Sequence, residues 1–264
     1  MFFENLNNKF FYSGKMCWFL PFGCKLKIRG KNNTIILGKN CIFRNSRIKI
    51  KGNDNTITIG NETKLYKTNI DIIGNNNKIN ISNNIKFQNT IINELGDSNV
   101  FIISTTKHPI RDAKFYIEEG GTAIIGKNSE LKNGGLHVVV NNGYKTKPKL
   151  LIGDDVYIAK DCIIRASDGH TILDENNNAI NEPKDVIIGN NVWIMSRCTI
   201  LKGSFIPSGC GIAANSLVNK AFNEEHILLG GIPAKILRHN FKWDPRTYNQ
   251  YMSDSVRNKV AKHV

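Results

Sequence analysis

Gly52-Asn-Asp-Asn-Thr-Ile-Thr-Ile-Gly60 decides the fold, because the same pattern recurs on both sides of it. Upstream stands Gly30-Lys-Asn-Asn-Thr-Ile-Ile-Leu-Gly38. Downstream follow Gly74-Asn-Asn-Asn-Lys-Ile-Asn-Ile-Ser82 and Gly96-Asp-Ser-Asn-Val-Phe-Ile-Ile-Ser104, each starting 22 residues after the one before. Ala123 and Ile125 carry the register on to Gly126, since they fall where Phe101 and Ile103 would repeat. A fixed period held through five units means stacked coils. Asn-rich sequence is often disordered, and Asn here equals Lys plus Arg at 36 residues. The Asn clusters nevertheless alternate with Ile at period two, so each segment can bury one face. In a stack, Asn33, Asn55, Asn77 and Asn99 form a column at one turn, where side-chain amides can bond up and down the axis. Ile35, Ile57, Ile79 and Phe101 form a column inside, and Ile48, Ile70 and Ile92 form another. The reading is an all-β parallel solenoid whose coils are too small to bury their apolar faces singly. The period leaves its hand open.

From Leu151 the rhythm shortens to hexads that begin with Ile. Three start at Ile152, Ile158 and Ile164, and five more at Ile188, Ile194, Ile200, Ile206 and Ile212. These eight hexads resemble those of the hexapeptide-repeat acyltransferases, a family whose fold is a left-handed parallel β-helix with three hexads per triangular coil. Ser167-Asp-Gly-His-Thr-Ile, Asp185-Val-Ile-Ile-Gly-Asn-Asn-Val-Trp193, Thr199-Ile-Leu-Lys-Gly203 and Gly231-Ile-Pro-Ala-Lys235 look more narrowly like the bacterial capsule and polysialic acid O-acetyltransferases within it. This part runs from about residue 150 to 243, and the earlier coils match in style alone. The resemblance implies a left-handed helix throughout, with extra residues of the 22-residue coils placed at corners. A right-handed helix over residues 25–126 is the alternative.

Gly153 and Gly189 are 36 residues apart, yet Asp174-Glu-Asn-Asn-Asn-Ala-Ile-Asn-Glu-Pro-Lys184 has no hexad rhythm and contains Pro183, which predicts an extended loop over residues 171–184. His170 stands at its root. In the family such a loop leans on a neighbouring subunit of a homotrimer, and the resemblance gives His170 the role of general base. Acetyl transfer needs one, because a sugar hydroxyl must lose its proton as it attacks a thioester, and imidazole has a suitable pKa. The resemblance also implies direct transfer from acetyl-CoA without an acyl-enzyme. It points to Trp193, or a backbone N–H beside it, for the oxyanion. For the nucleotide end of the donor it points to backbone at Gly203, Ala213 and Ala214 and to Lys220, Lys235 and Arg238, whose positive charge suits phosphates. Asp168 and Asp174 are the nearby acceptors for the imidazole.

Each of these residues has a bland reading. His170 could be an exposed turn histidine, Trp193 a packing residue, and each cation a solvated one. Alternation from Val192 and Ile194 puts Trp193 on the outer face, where a lone exposed Trp is unusual. His108, in Lys107-His-Pro-Ile, competes with His170 but lacks the following hexads and is read as structural. His137 is a substrate-contact candidate on an outward strand face. Met195, Asn215 and Ile232 stand where the family carries Gly, Gly and Asn, which bears on the path of the donor.

The chain has 264 residues and a net charge of +14. No apolar run is long enough to span a bilayer, and residues 10–25 lack the basic start and cleavage site of a signal peptide. Six cysteines without metal-ligand spacing read as free thiols in a reducing cytoplasm, with no metal site. The lysines are spread along faces without a nucleic-acid motif, so an acidic polysaccharide acceptor is the preferred partner, with the inner face of an anionic membrane as a compatible setting. The organisation read from sequence is an N-terminal cap (1–24), an Asn/Ile-rich solenoid (25–149), a hexad catalytic part (150–220) and a donor-proximal segment ending in a short helix (221–264). That helix is expected to start from an Asp244 N-cap, with Tyr248, Tyr251, Met252, Val256 and Val260 on one apolar face. The functional reading is acetyl-CoA-dependent O-acetylation of a capsular or surface polysaccharide. N-acetylation of an amino sugar nucleotide and a non-catalytic glycan-binding solenoid are the alternatives.

Overall fold

The computed structural model describes residues 2–3, 9–12, 23–131, 134–141 and 146–261. The chain winds as a three-sided parallel stack of about nine turns. A first sheet runs through Lys25–Arg29, Arg47–Lys51, Asn69–Ile73, Ile91–Leu95, Lys114–Glu118, His137–Asn141, Ile163–Arg165, Thr199–Ile200 and Leu217–Val218. A second runs from Thr34–Leu37 through Val186–Ile188 to Phe205–Ile206. The third side carries two shorter sheets, one from Ile42–Arg44 to Ile110–Arg111, the other from Glu130–Leu131 through Tyr157–Ile158, Trp193–Ile194 and Gly211–Ile212 to Ala234–Arg238. The chain visits first, second and third sides in that order from the first coil to the last hexad coil, and the first two sheets continue unbroken across residue 126. A change of hand would reverse that order, so the 22-residue coils share the hand of the hexads, and a separate right-handed section is excluded.

The inward columns are those expected. Ile35, Ile57, Ile79, Phe101 and Ala123 pair in register, as do Ile48, Ile70, Ile92 and Phe115, and all are buried. The Asn column is a hydrogen-bonded ladder. Asn55 donates its N–H and its amide to Asn33 Oδ1 at 3.1 and 2.9 Å, and the N–H groups of Asn77 and Asn99 reach the Oδ1 below at 3.0 and 2.8 Å. Upward, the amides of Asn33, Asn55 and Asn77 donate to the carbonyls of Gly52, Gly74 and Gly96 at 2.8 to 2.9 Å. Part of the remaining Asn excess serves the corners. Asn32, Asp54, Asn76 and Ser98, then Asn40, Glu62 and Asn84, then Asn45, Lys67 and Asn89 hold positive φ at 22-residue intervals. Asn tolerates that left-handed conformation better than other residues with a Cβ, so a coil with three sharp corners selects it.

In the hexad part a coil is 18 residues, as Ile188 pairs with Ile206, Ile194 with Ile212 and Ile200 with Val218. Ile152 pairs with Ile188, 36 residues on, so the chain leaves the helix for one coil's length between them. Cys41, Cys162, Cys198 and Cys210 are buried thiols, and Cys17 lies outside the described residues. Most of the expected 1–24 cap also lies outside them, although Phe2–Phe3 and Lys9–Tyr12 extend the first and second sheets by parallel pairing. The C-terminal helix spans Tyr248–Ala261. Its cap is Thr247, not Asp244: Thr247 Oγ1 accepts from Gln250 N while Gln250 Oε1 accepts from Thr247 N at 3.0 Å, a reciprocal box. Asp244 instead grips the Arg246 guanidinium. Tyr248, Tyr251 and Met252 are exposed, and the side chains of Val256 and Val260 lie outside the described residues.

One inward position breaks the pattern. In the column Ile50, Ile72, Glu94, Ile117, Val140 the glutamate is fully buried, and both its oxygens lack a partner among the described residues. Burial pushes its carboxyl well above the usual range, so it sits in the core as a neutral acid. The unfolded chain loses this proton at ordinary carboxylate pH and the folded one holds it, so Glu94 costs stability progressively as pH rises above that range. Glu94→Ile should stabilise by about 1–3 kcal/mol at neutral pH. Thermal melts of the two proteins from pH 5 to 9 check this, with the difference widening as pH rises.

Candidate active site

The chain leaves the helix after Ile163–Arg165 of the first sheet and returns at Val186–Ile188 of the second. Its excursion is a hairpin: Ile180 N donates to Ile172 O at 2.9 Å, and Asp174 closes the tip by accepting the N–H groups of Asn176 and Asn178. The root is fastened by side chains from three directions. Arg165 donates to the carbonyls of Ser167 and Asp168 at 3.2 and 3.3 Å. Lys202, one coil on, donates Nζ to Asp168 Oδ2 at 2.6 Å and to Asn181 O at 2.7 Å. Asn181 donates to Asp168 Oδ2 at 2.8 Å and to His170 O at 2.7 Å, and accepts Ile172 N at 2.8 Å. Burial works against the Asp168 charge, but the Lys202 and Asn181 hydrogen bonds, with the nearby positive charges, outweigh it and hold its pKa low. A triangle of Asp, Asn and Lys thus locks both arms of the hairpin to the backbone of His170.

Above this lock lies a cavity of about 320 Å³, lined by the Ser167-Asp-Gly-His-Thr171 turn, the returning arm at Asn181, and Glu118, Glu119 and Asn141 from the coils below. The His170 imidazole is exposed and takes no hydrogen bond among the described residues. Asp168 and Asp174, the sequence candidates for orienting it, are engaged with Lys202 and with the hairpin tip. Besides Asp168, the carboxylates that line its cavity are Glu118, Glu119 and Glu182, and burial, then the Glu119 charge, raises the Glu118 pKa. Two polar atoms, Ser167 Oγ and Asn141 Oδ1, are buried without a partner among the described residues. Arg165, Asn141, Asn181, Lys202 and the Glu118-Glu119 pair escaped the sequence reading. Their signal lies in register, because Glu118 pairs with Asn141 across 23 residues, a spacing visible once the coils are aligned.

The other expected residues divide between two edges. Gly203 and Lys220 follow the first-sheet strands Thr199–Ile200 and Leu217–Val218, so with His170 they climb the same corner. Trp193, Ala213 and Ala214 belong to the third side, and Lys235 and Arg238 lie on the final antiparallel strand beside it. Trp193 is half-buried between inward Val192 and Ile194, its ring 5.6 Å from that of Trp243. Its backbone N–H donates to Cys210 O at 2.9 Å, which leaves the indole as the donor that this residue can offer. His108 lies 3.5 Å from Glu130, which lines a separate cavity with Lys107, Tyr157 and Trp243. His137 is half-buried on the outer face of the first sheet, stacked edge-on to Tyr116, and burial, with Lys114 and Arg165, lowers its pKa. Asn215 adopts φ of 58°, a left-handed conformation that Asn tolerates among residues with a Cβ.

No family model matches the chain. It is 33% identical over 140 residues to the polysialic acid O-acetyltransferase of Escherichia coli O1:K1, covering 53% of this chain and 43% of that protein. It is 31% identical over 147 residues to the putative acetyltransferase YJL218W of Saccharomyces cerevisiae, covering 55% of this chain and 70% of that one. The crystallographic structure of the polysialic acid O-acetyltransferase OatWY superposes with a TM-score of 0.65 at 29% identity, over 87% of this chain and 95% of that one. The chain spans about half the length of the curated polysialic acid relatives it matches.

Proposed function

This chain belongs to the hexapeptide-repeat acyltransferase family, and we propose that it transfers acetyl from acetyl-CoA to a hydroxyl of an acidic bacterial surface polysaccharide, one containing sialic acid. The observation that carries the reading is the exposed His170 imidazole, without a hydrogen bond among the described residues, at a cavity of about 320 Å³ walled by the polar residues Glu118, Asn141, Ser167 and Asn181. An acceptor hydroxyl donates to His170. As its oxygen attacks the thioester carbonyl carbon, its proton passes to the imidazole, and as the carbon–sulfur bond breaks the imidazolium returns that proton to the departing thiolate. The Trp193 indole supplies a donor for the oxyanion. The lock made by Arg165, Asp168, Asn181 and Lys202 holds the histidine on a rigid corner, which positioned proton transfer requires.

In this reading residues 150–220 form the catalytic part, residues 221–264 approach the donor, and residues 25–149 present the acceptor surface. His170, Gly203 and Lys220 occupy one edge of the prism while Trp193, Ala213, Ala214, Lys235 and Arg238 occupy another, so the full set is assembled where two copies meet, in a homotrimer. The second sheet supports this by presenting Ile102, Ile124, Leu151, Ile187 and Phe205 outward in one column, and Ile172, Leu173 and Ile180 stand exposed on the hairpin. No helix among the described residues is long and apolar enough to cross a membrane. The reading places the enzyme in the cytoplasm, at the inner face of the membrane where the polymer is made.

Incubation with acetyl-CoA and polysialic acid should release thiol in step with base-labile ester on the polymer. Absence of polymer ester, or acetylation of an amino sugar nucleotide instead, would overturn the assignment. Lys235→Glu should raise KM for acetyl-CoA more than it lowers kcat, since a contact far from the thioester binds ground and transition states alike. An unchanged donor KM in steady-state assays would remove Lys235 from the site.

A further inference from the structure

We propose that the outer face of the first two coils of the first sheet, carrying Lys25, Lys27, Arg29, Arg47, Lys49 and Lys51, is a second binding site for the acidic polymer, remote from the cavity at His170. The inference rests on the reading of the acceptor as an acidic polysaccharide and adds where its charge is recognised. Lys25 pairs with Arg47, Lys27 with Lys49 and Arg29 with Lys51, while Ile48 and Ile50 between the outward residues are buried. Strands about 4.8 Å apart with outward side chains about 6.8 Å apart put the six cations in a patch of roughly 5 by 14 Å.

A solvated face is the bland explanation, and the neighbouring coils argue against it. The outward residues of the next two strands are Asn69, Asp71 and Ile73, then Ile91, Asn93 and Leu95, with one acid and no base. That acid is held by Arg47. Charge placed for solubility mixes its signs, whereas here, apart from Arg47, five like charges without an ion pair among the described residues crowd one ladder, an arrangement that costs stability. A polyanion with one carboxylate per sugar relieves that repulsion along the whole patch.

The cavity gives the second reason. Its own charged lining includes Glu118 and Glu119, which repel an anionic sugar. Attraction of the polymer therefore has to act elsewhere on the same surface. The patch lies on that surface, because Lys51 leads through Ile73, Leu95 and Glu118 to Asn141 of the cavity wall, four ladder steps or about 19 Å. An acceptor shorter than about 20 Å cannot touch both places.

The test is the variant with Lys27→Glu, Lys49→Glu and Lys51→Glu together, with the corresponding triple Gln variant as a milder form. At low salt KM for long polysialic acid should rise about tenfold or more, kcat should hold, and KM for oligomers shorter than about 20 Å should stay unchanged. Equal KM shifts for short and long acceptors, or no shift, would overturn the proposal while leaving the enzymatic reading in place. Anisotropy of labelled polysialic acid without acetyl-CoA separates the two. Binding that the triple variant loses supports the patch even if no acetyl is transferred, and binding that it keeps refutes the patch.

Discussion

His170→Ala should leave assembly and acetyl-CoA affinity intact and reduce kcat by about 10²–10⁴, the usual worth of a positioned general base. Folding should be unaffected because the imidazole is exposed at the hairpin root and makes no hydrogen bond among the described residues, while the lock on the turn uses the His170 carbonyl, which alanine retains. Single-turnover assays with circular dichroism and light scattering alongside read all of this. His108→Ala is the control, since its imidazole faces Glu130 beside a different cavity. Loss of turnover in His108→Ala with normal turnover in His170→Ala would move the active cleft to the coils before Gly126.

Asn77→Ala should destabilise the solenoid by about 1.5–4.5 kcal/mol although it removes no apolar contact of any size. The substitution takes away the acceptor of the Asn99 N–H and the amide that reaches the Gly96 carbonyl, and the site is buried. The Asn99 N–H is left without its acceptor where water cannot replace it, at about 1–3 kcal/mol, and the Gly96 carbonyl loses one of two donors but keeps the Asn99 amide at 3.3 Å, which adds about 0.5–1.5 kcal/mol. Asn80→Ala, on the outer face of the second sheet in the same coil, should change stability by no more than about 0.5 kcal/mol. Chemical denaturation of the two variants distinguishes a ladder position from an ordinary surface asparagine, and equal losses would show that the column carries no special weight.

Most of the stack is legible in the sequence, for a simple physical reason. A solenoid coil contacts little besides its neighbours, so each inward column is a sequence repeat, and Ile57 over Ile35 or Asn77 over Asn55 can be read from spacing. Glu94 is the exception that shows the limit. It occupies an inward position by register, but a lone Glu in an Asn-rich stretch looks like a corner residue, and only the alternation within Ile91–Leu95 turns it inside. The helix cap differs from the expected one because Asp244-Pro245 and Thr247-x-x-Gln250 are both plausible starts. The outcome turned on Asp244 having a nearer partner in Arg246.

The sequence by itself determined the repeat, the inward columns, the amide ladder and the excursion between Gly153 and Gly189, because all of these are local or periodic, while His170 and Trp193 were singled out by the family resemblance of their motifs. The tertiary structure alone decided what surrounds them. That Asp168 serves Lys202 and Asn181 instead of the imidazole, that Glu118 and Asn141 wall the cavity, and that His170 and Trp193 stand on different edges all depend on how 18-, 22- and 27-residue coils stack over one another. Each such contact joins residues whose separation is set by the summed lengths of irregular coils. A loop or an inserted corner changes that sum without leaving a periodic trace, so neighbours across it are found only when the chain is folded.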